Sequence, residues 1–300
     1  MTPKFVVVEG KGGVGRSTVT AALGHAWAQR GANVWMVSLH GDPGLARRCG
    51  VRPDYEPQAV APQVWASTLA TTAALRDFGT RKLPVGALGG AALASRPMTA
   101  LVDAVPGLAD LVQLGKIEDR LRWPLAGETP WDVIVLDAPA TGHGHRLLDA
   151  PAIVAALAQT GPFHGLAAKI AALIDDEATM RHVVVSLAEP LPASETLESM
   201  DATLKAGRRL HAMVINRTPP APPRPRPEVP AGWAARLDAL EARAEMAAAA
   251  ERTLAEGLTS RGLGGLPRWA LPDAADADVR PPWATWSAAL APLVDALEAP

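Results

Sequence analysis

Four glycines in six positions, Gly10, Gly12, Gly13 and Gly15, follow the apolar run 5–8 after the single residue Glu9 and precede a helix-compatible stretch at 17–30. A chain that leaves a buried strand through such a turn and enters a helix aims several backbone N–H groups at one point, with the positive end of the helix dipole behind them. That arrangement suits phosphate oxygens. The nine residues Gly10-Lys11-Gly12-Gly13-Val14-Gly15-Arg16-Ser17-Thr18 stand in the strand–turn–helix context that a P-loop requires. The plain alternative is a structural glycine-rich turn, and two further motifs weigh against it. The run 133–136 ends in Asp137, the position of a Walker B carboxylate that holds Mg²⁺ directly or through water, and the Ser17 hydroxyl is placed to ligate the same ion. Asp42, in Leu39-His40-Gly41-Asp42-Pro43, would face the same crevice outside the carboxyl ends of the strands, there to orient an attacking water or add to the Mg²⁺ shell.

Short runs rich in Val, Ile and Leu recur at 5–8, 34–39, 133–136, 183–187 and 212–215, with weaker ones at 64–69 and 269–271. They lack strict polar–apolar alternation, as strands covered on both faces do. The expected fold class is therefore α/β: a parallel sheet flanked by helices, one domain over 1–300. The segment 73–122 carries Leu, Val and Ala at helical spacing and reads as an inserted helical subdomain. Seven of the twelve residues from 219 to 230 are proline, which forbids helix and central strand and makes 218–230 an extended loop. Its Arg224-Pro225-Arg226-Pro227 is either part of a surface connector or a motif for an aromatic groove. An alanine-rich helix is expected over 231–258 and a last helix over 283–297, with Trp286, Leu290, Leu293 and Leu297 on one face.

Composition narrows the function. Lysines and arginines are scattered and the net charge is −2, so nucleic-acid binding lacks electrostatic support. The single cysteine, Cys49, excludes an intrachain disulfide and any multi-cysteine zinc, arsenite or iron–sulfur site from one chain. The opening apolar run is too short for a signal peptide, and no segment reaches about 18 apolar residues, so a cytoplasmic protein with no integral membrane segment is expected.

Lys-Gly-Gly-Val-Gly, with a lysine directly after the first glycine, resembles the deviant Walker A of the dimeric ATPases that include ParA, MinD, the nitrogenase iron protein and ArsA. Asp137-Ala138-Pro139-Ala140-Thr141-Gly142-His143, followed by Arg146-Leu147-Leu148, is similar to switch II of the ArsA and guided-entry ATPases. Asp42-Pro43 resembles their switch I, Glu195-Thr196 their helix-opening Glu-Thr, and Val214-Ile215-Asn216 the strand whose asparagine recognises adenine. Pro106-Gly107-Leu108 to Gly115-Lys116-Ile117 is similar to the compact bacterial branch, which can be encoded as adjacent pairs. The resemblance implies ATP or ADP with Mg²⁺, and a homodimer or a heterodimer with a paralogous P-loop ATPase. The P-loop residues, Asn216 and Pro272 would be the nucleotide contacts; Ser17, Asp42 and Asp137 the metal ligands; and Asp42, Lys11 and Arg16 the catalytic groups, Lys11 reaching across the dimer. Two departures stand out. Arg16 occupies the place of the phosphate-gripping lysine, where a planar guanidinium does not fill a compact ammonium position. The chain between Asp42-Pro43 and Gly50 is also short and lacks the family's His-Ser or His-Asn.

Three functions compete. The first is an ATP-driven dimeric switch that reshapes the helical insertion, whose Leu93, Met98, Leu101, Val102, Leu108, Leu111 and Val112 either line a groove for an apolar protein client or pack the subdomain. The second is a non-hydrolysing subunit that supports a complete partner ATPase, a reading that Arg16 favours. The third, a MinD- or ParA-like positioning protein, is opposed by the last helix, which carries Asp295 and Glu298 without Lys or Arg, and by the lack of a basic patch.

Overall fold

A computed structural model of the chain describes residues 2–83, 85–123, 129–140, 144–224, 226, 228–274 and 282–298. Its centre is an eight-stranded sheet in the order β3-β4-β2-β5-β1-β6-β7-β8. The strands are β1 (Lys4–Gly10), β2 (Val34–Ser38), β3 (Gln58–Ala61), β4 (Val64–Thr68), β5 (Val133–Asp137), β6 (Met180–Leu187), β7 (Ala212–Thr218) and β8 (Arg268–Pro272). All pairings are parallel except β3 with β4. The seven runs read from the sequence are seven of these strands. The eighth, β3, is a half-exposed edge strand of four residues with a register shift between Ala59 and Ala61, too short and too polar for a pattern to declare it.

Side-chain alternation divides each central strand between two apolar layers. Val6, Val8, Met36, Val135 and Val185 face α1 (Arg16–Ala28) and α11 (Trp283–Glu298), where Leu23, Trp27 and the expected stripe of Trp286, Leu290, Leu293 and Leu297 are all buried. Burial of each such side chain stabilises the fold by about 1.5–3 kcal/mol relative to exposure. Phe5, Val7, Trp35, Val37, Ile134 and Leu136 face α3 (Thr71–Lys82), α6 (Leu108–Arg122), α7 (Gly144–Leu157) and α8 (Pro162–Ile174). Over β6 and β7, α9 (Pro190–Lys205) and the 30-residue α10 (Ala231–Ser260) bury Met200, Leu254 and Leu258 against Val184, Met213 and Ile215. The short α2 (Gly44–Arg48) follows β2.

Within 73–122, α3 and α6 belong to the layer on the sheet, and α4 (Ala87–Leu93) and α5 (Arg96–Ala104) reach it through Leu93, Met98 and Val102. Of the seven apolar residues weighed for a groove, Val102, Leu108, Leu111 and Val112 are buried, Leu93 and Met98 are partly buried, and Leu101 is exposed. Among the described residues, no helix is long and apolar enough to cross a membrane.

Candidate functional site

The P-loop connects β1 to α1 at the carboxyl end of the sheet's middle. Gly15 has φ 90°, and a Cβ there would sit 2.0 Å from Asn216 Nδ2. Only glycine meets both conditions at once. The Asn216 amide, buried on β7, donates to the Val14 carbonyl at 2.8 Å and so clamps the loop from two strands along the sheet. No side chain caps the start of α1, which leaves its first N–H groups to the loop's interior.

Beside this turn the structure gathers the expected metal ligands. The Ser17 hydroxyl donates to Asp137 Oδ2 at 2.5 Å, while the buried Asp137 Oδ1 has no hydrogen-bond partner among the described residues. Burial pushes the Asp137 carboxyl up to about 6; the negative charge of Asp42 adds to this, and the Ser17 hydrogen bond and the Arg16 charge oppose it. Asp42 accepts the Gly44 N–H at Oδ1 (2.8 Å), and a Cβ on Gly44 would lie 3.1 Å from that oxygen and 3.4 Å from Ser17 Oγ. Asp42 therefore borders the same space, with one oxygen engaged in a turn. One orphaned carboxylate oxygen beside a hydroxyl fits Mg²⁺, which takes one or two protein oxygens and fills its octahedron with phosphate and water. Among the described residues, no group of three or more His, Cys, Asp and Glu is arranged to hold a metal ion.

The basic residues separate. Lys11 is half-buried at the start of the loop. The Arg16 guanidinium donates through Nη1 to the Ala138 carbonyl, joining the P-loop to the segment after β5, and its buried Nε has no partner among the described residues. Thr141, Gly142 and His143, expected in switch II, lie outside the described residues, as does the side chain of Arg146; Leu147 and Leu148 are buried.

Thr18, Asn216 and Pro272 line one polar cleft of about 330 Å³. The sequence reading missed its other charged walls, Arg48, Glu189, Arg217 and Arg243, the last paired with Asp273 at 2.8 Å. Arg217 directly follows Asn216 and has φ 55°, a conformation disfavoured outside glycine. Glu195-Thr196 does not open its helix: α9 begins at Pro190, with proline in its first turn as helices favour, and Thr196 is buried and donates to Ser186 Oγ at 3.0 Å. Also unforeseen is the link from the end of β2 to α6. His40, at φ 55°, donates its N–H to Gln113 Oε1 (2.7 Å), its Nε2 lies 2.7 Å from Asp110 Oδ1, and Gln113 is fully buried.

Cys49, at the end of α2, packs against the α1 face of the sheet. Burial, helped by the charge of Asp137 and opposed by Arg48, pushes its thiol up to about 12. It therefore stays protonated at neutral pH, where the thiolate is the reactive species. A disulfide reagent should label the native protein at least about a hundredfold more slowly than the unfolded chain; comparable rates would contradict this.

A family model described as anion-transporting ATPase matches residues 3–161. The chain is 32% identical over 222 residues to the ATPase BagA of Mycobacterium tuberculosis, a match covering 72% of this chain and 65% of that protein. It is 26% identical over 160 residues to an ATPase ASNA1 homolog of Entamoeba histolytica, covering 51% and 47%. The chain thus spans about two thirds of the length of the mycobacterial relative and about half of the other. With the P-loop, the β5 carboxylate and the polar cleft at the carboxyl ends of the parallel strands, these matches establish that the chain belongs to the ArsA ATPase family.

Proposed function

We propose that this chain is a Mg²⁺-ATP-dependent dimeric switch that hydrolyses ATP slowly by itself. The observation that carries the reading is the pairing of Ser17 with Asp137 beside the P-loop, with Asp137 Oδ1 left over for a cation. In this reading Ser17 and Asp137 hold Mg²⁺ with Asp42 beside them, the loop amides take the phosphates, and the base lies in the cleft bordered by Asn216 and Pro272. Bound Mg²⁺ neutralises phosphate charge. Asp42 orients the attacking water, and closure of two copies brings Lys11 of each to the other's phosphates. The His40–Gln113–Asp110 contacts supply a physical route from the loop after β2 to α6 and its neighbours, where a protein client would be engaged.

A second reading is favoured by Arg16: a subunit that binds nucleotide but leaves hydrolysis to a paralogous partner. The Arg16 bond to the Ala138 carbonyl directs the guanidinium along the loop after β5, and transition-state stabilisation depends on exact placement of charge.

Calorimetric titration with Mg²⁺-ATP tests the common part of both readings. The unmodified protein is expected to bind, and no binding would overturn the proposal. Asn216→Ala separates two roles of that residue. Loss of the Val14 clamp weakens every ligand of the loop, whereas loss of a base contact weakens ATP alone. ATP is expected to lose about tenfold more affinity than inorganic triphosphate; equal losses would leave Asn216 a clamp only.

A further inference from the structure

A second cavity, of about 290 Å³, opens at the amino-terminal ends of β6 and β7, at the other end of the strands from the P-loop. Its size is at the lower end of small-molecule sites. One wall is apolar, made by Leu148 and Pro151 of α7, Ile174 of α8 and Met180. The other is formed by His182, Arg208, Arg209 and His211, with Asp175 and Glu177 also lining the cavity. Met180 and His182 are two apart on β6 and so share the sheet face on which α7 and α8 pack.

The polar wall has a defined hydrogen-bonding character. The His182 N–H donates to His211 Nδ1 at 3.0 Å, which puts the His211 ring proton on Nε2 as a donor. His182 is 1% exposed; its Nε2 lies 3.0 Å from Glu9 Oε2, and its Nδ1 has no hydrogen-bond partner among the described residues. Arg208, 15% exposed, is paired with Asp149. Arg209 is loosely held by Glu177 at 3.7 Å, both side chains being mostly in solvent. Burial, then the positive charges of Arg181 and Arg209, keep His211 low, at about 4, so it is a neutral donor in an electropositive setting.

We propose that this cavity binds a small organic carboxylate, its apolar body against α7 and α8 and its carboxylate directed to Arg208, Arg209 and the His211 Nε2–H. A carboxylate fits better than a phosphate. Asp149, Asp175 and Glu177 already stand against the two guanidinium groups, so the second charge of a dianion is repelled where a monoanion relies on directed hydrogen bonds, and a bare phosphate leaves the apolar wall uncovered.

The full-length chain, in buffer free of nucleotide and phosphate, can be titrated calorimetrically with benzoate, hexanoate and inorganic phosphate. Benzoate or hexanoate is expected to bind saturably, about tenfold more weakly in Arg209→Glu and in Arg208→Gln, and unchanged in Lys11→Ala. Arg209 is 68% exposed, so its replacement leaves the fold intact, and circular dichroism verifies this for both arginine variants. Absence of saturable carboxylate binding, or binding unaffected by both arginine changes, would overturn the site. Tighter binding of phosphate that is lost in Arg209→Glu and kept in Lys11→Ala would overturn the ligand class.

Discussion

Asp137→Asn should make the metal-free protein more stable at neutral pH and leave it unable to turn over Mg²⁺-ATP. The carboxyl of Asp137 rises from 3.8 to about 6 on folding, chiefly because burial disfavours its charge. A carboxyl raised in this way costs nothing below its unfolded value, costs progressively more between about 4 and 6, and carries the full penalty above about 6. Two pH units correspond to about 3 kcal/mol at pH 7. Asparagine removes the charge and can still accept the Ser17 hydroxyl. Chemical denaturation in a chelator should therefore show the variant more stable by about 2–3 kcal/mol at pH 7.5, the gain shrinking towards pH 4. Without the anionic oxygen the Mg²⁺ site fails, and turnover should fall by at least about a hundredfold. A variant less stable than the parent at pH 7.5, or one that keeps its turnover, would mean that Asp137 is not a strained carboxylate reserved for a metal.

The second large effect is expected at Gly15. A methyl group at this position would meet Asn216 Nδ2 at 2.0 Å and impose φ 90° on an L-residue. The left-handed conformation costs roughly 1–2 kcal/mol. Displacing Asn216 strands the Val14 carbonyl for about 1–3 kcal/mol more. Gly13 is the internal control: its φ is 85°, but none of the described residues lies within 4 Å of a Cβ there. Gly15→Ala should lose roughly 2–5 kcal/mol and its nucleotide affinity, and Gly13→Ala only the conformational part. Equal destabilisation of the two variants, measured by denaturant melts, would remove the Asn216 clamp from the account.

The central sheet was legible because strands covered on both faces must be apolar throughout, and the glycine turn was legible because phosphate geometry tolerates few residues. Asp137 and Ser17 could be paired from their motifs alone. What the sequence could not show are contacts made across the fold: the Arg16 bond to the Ala138 carbonyl spans 122 positions, and the Asn216 bond to Val14 spans 202. Neither residue type announces a backbone carbonyl as its partner. Gln113 and Asp110 likewise lie inside a helix whose apolar spacing speaks only of packing; that their polar groups face His40 depends on how α6 is set against β2. The start of α9 was misplaced because a likeness in Glu195-Thr196 outweighed the stronger local signal of Pro190.

Lys11 and Arg16 carry the central claim, that this chain is an ATPase-family switch with its own hydrolysis held back. One misplaced cation near the transferring phosphoryl group costs roughly 2–4 kcal/mol of barrier. Steady-state ATP turnover of the isolated protein is the most direct test. The account predicts slow turnover that rises by at least about tenfold in Arg16→Lys, with Lys11→Ala depressing a mixed dimer more than this chain alone. Rapid hydrolysis by the unmodified protein, unchanged or reduced in Arg16→Lys, would contradict it and make the arginine an adapted catalytic residue.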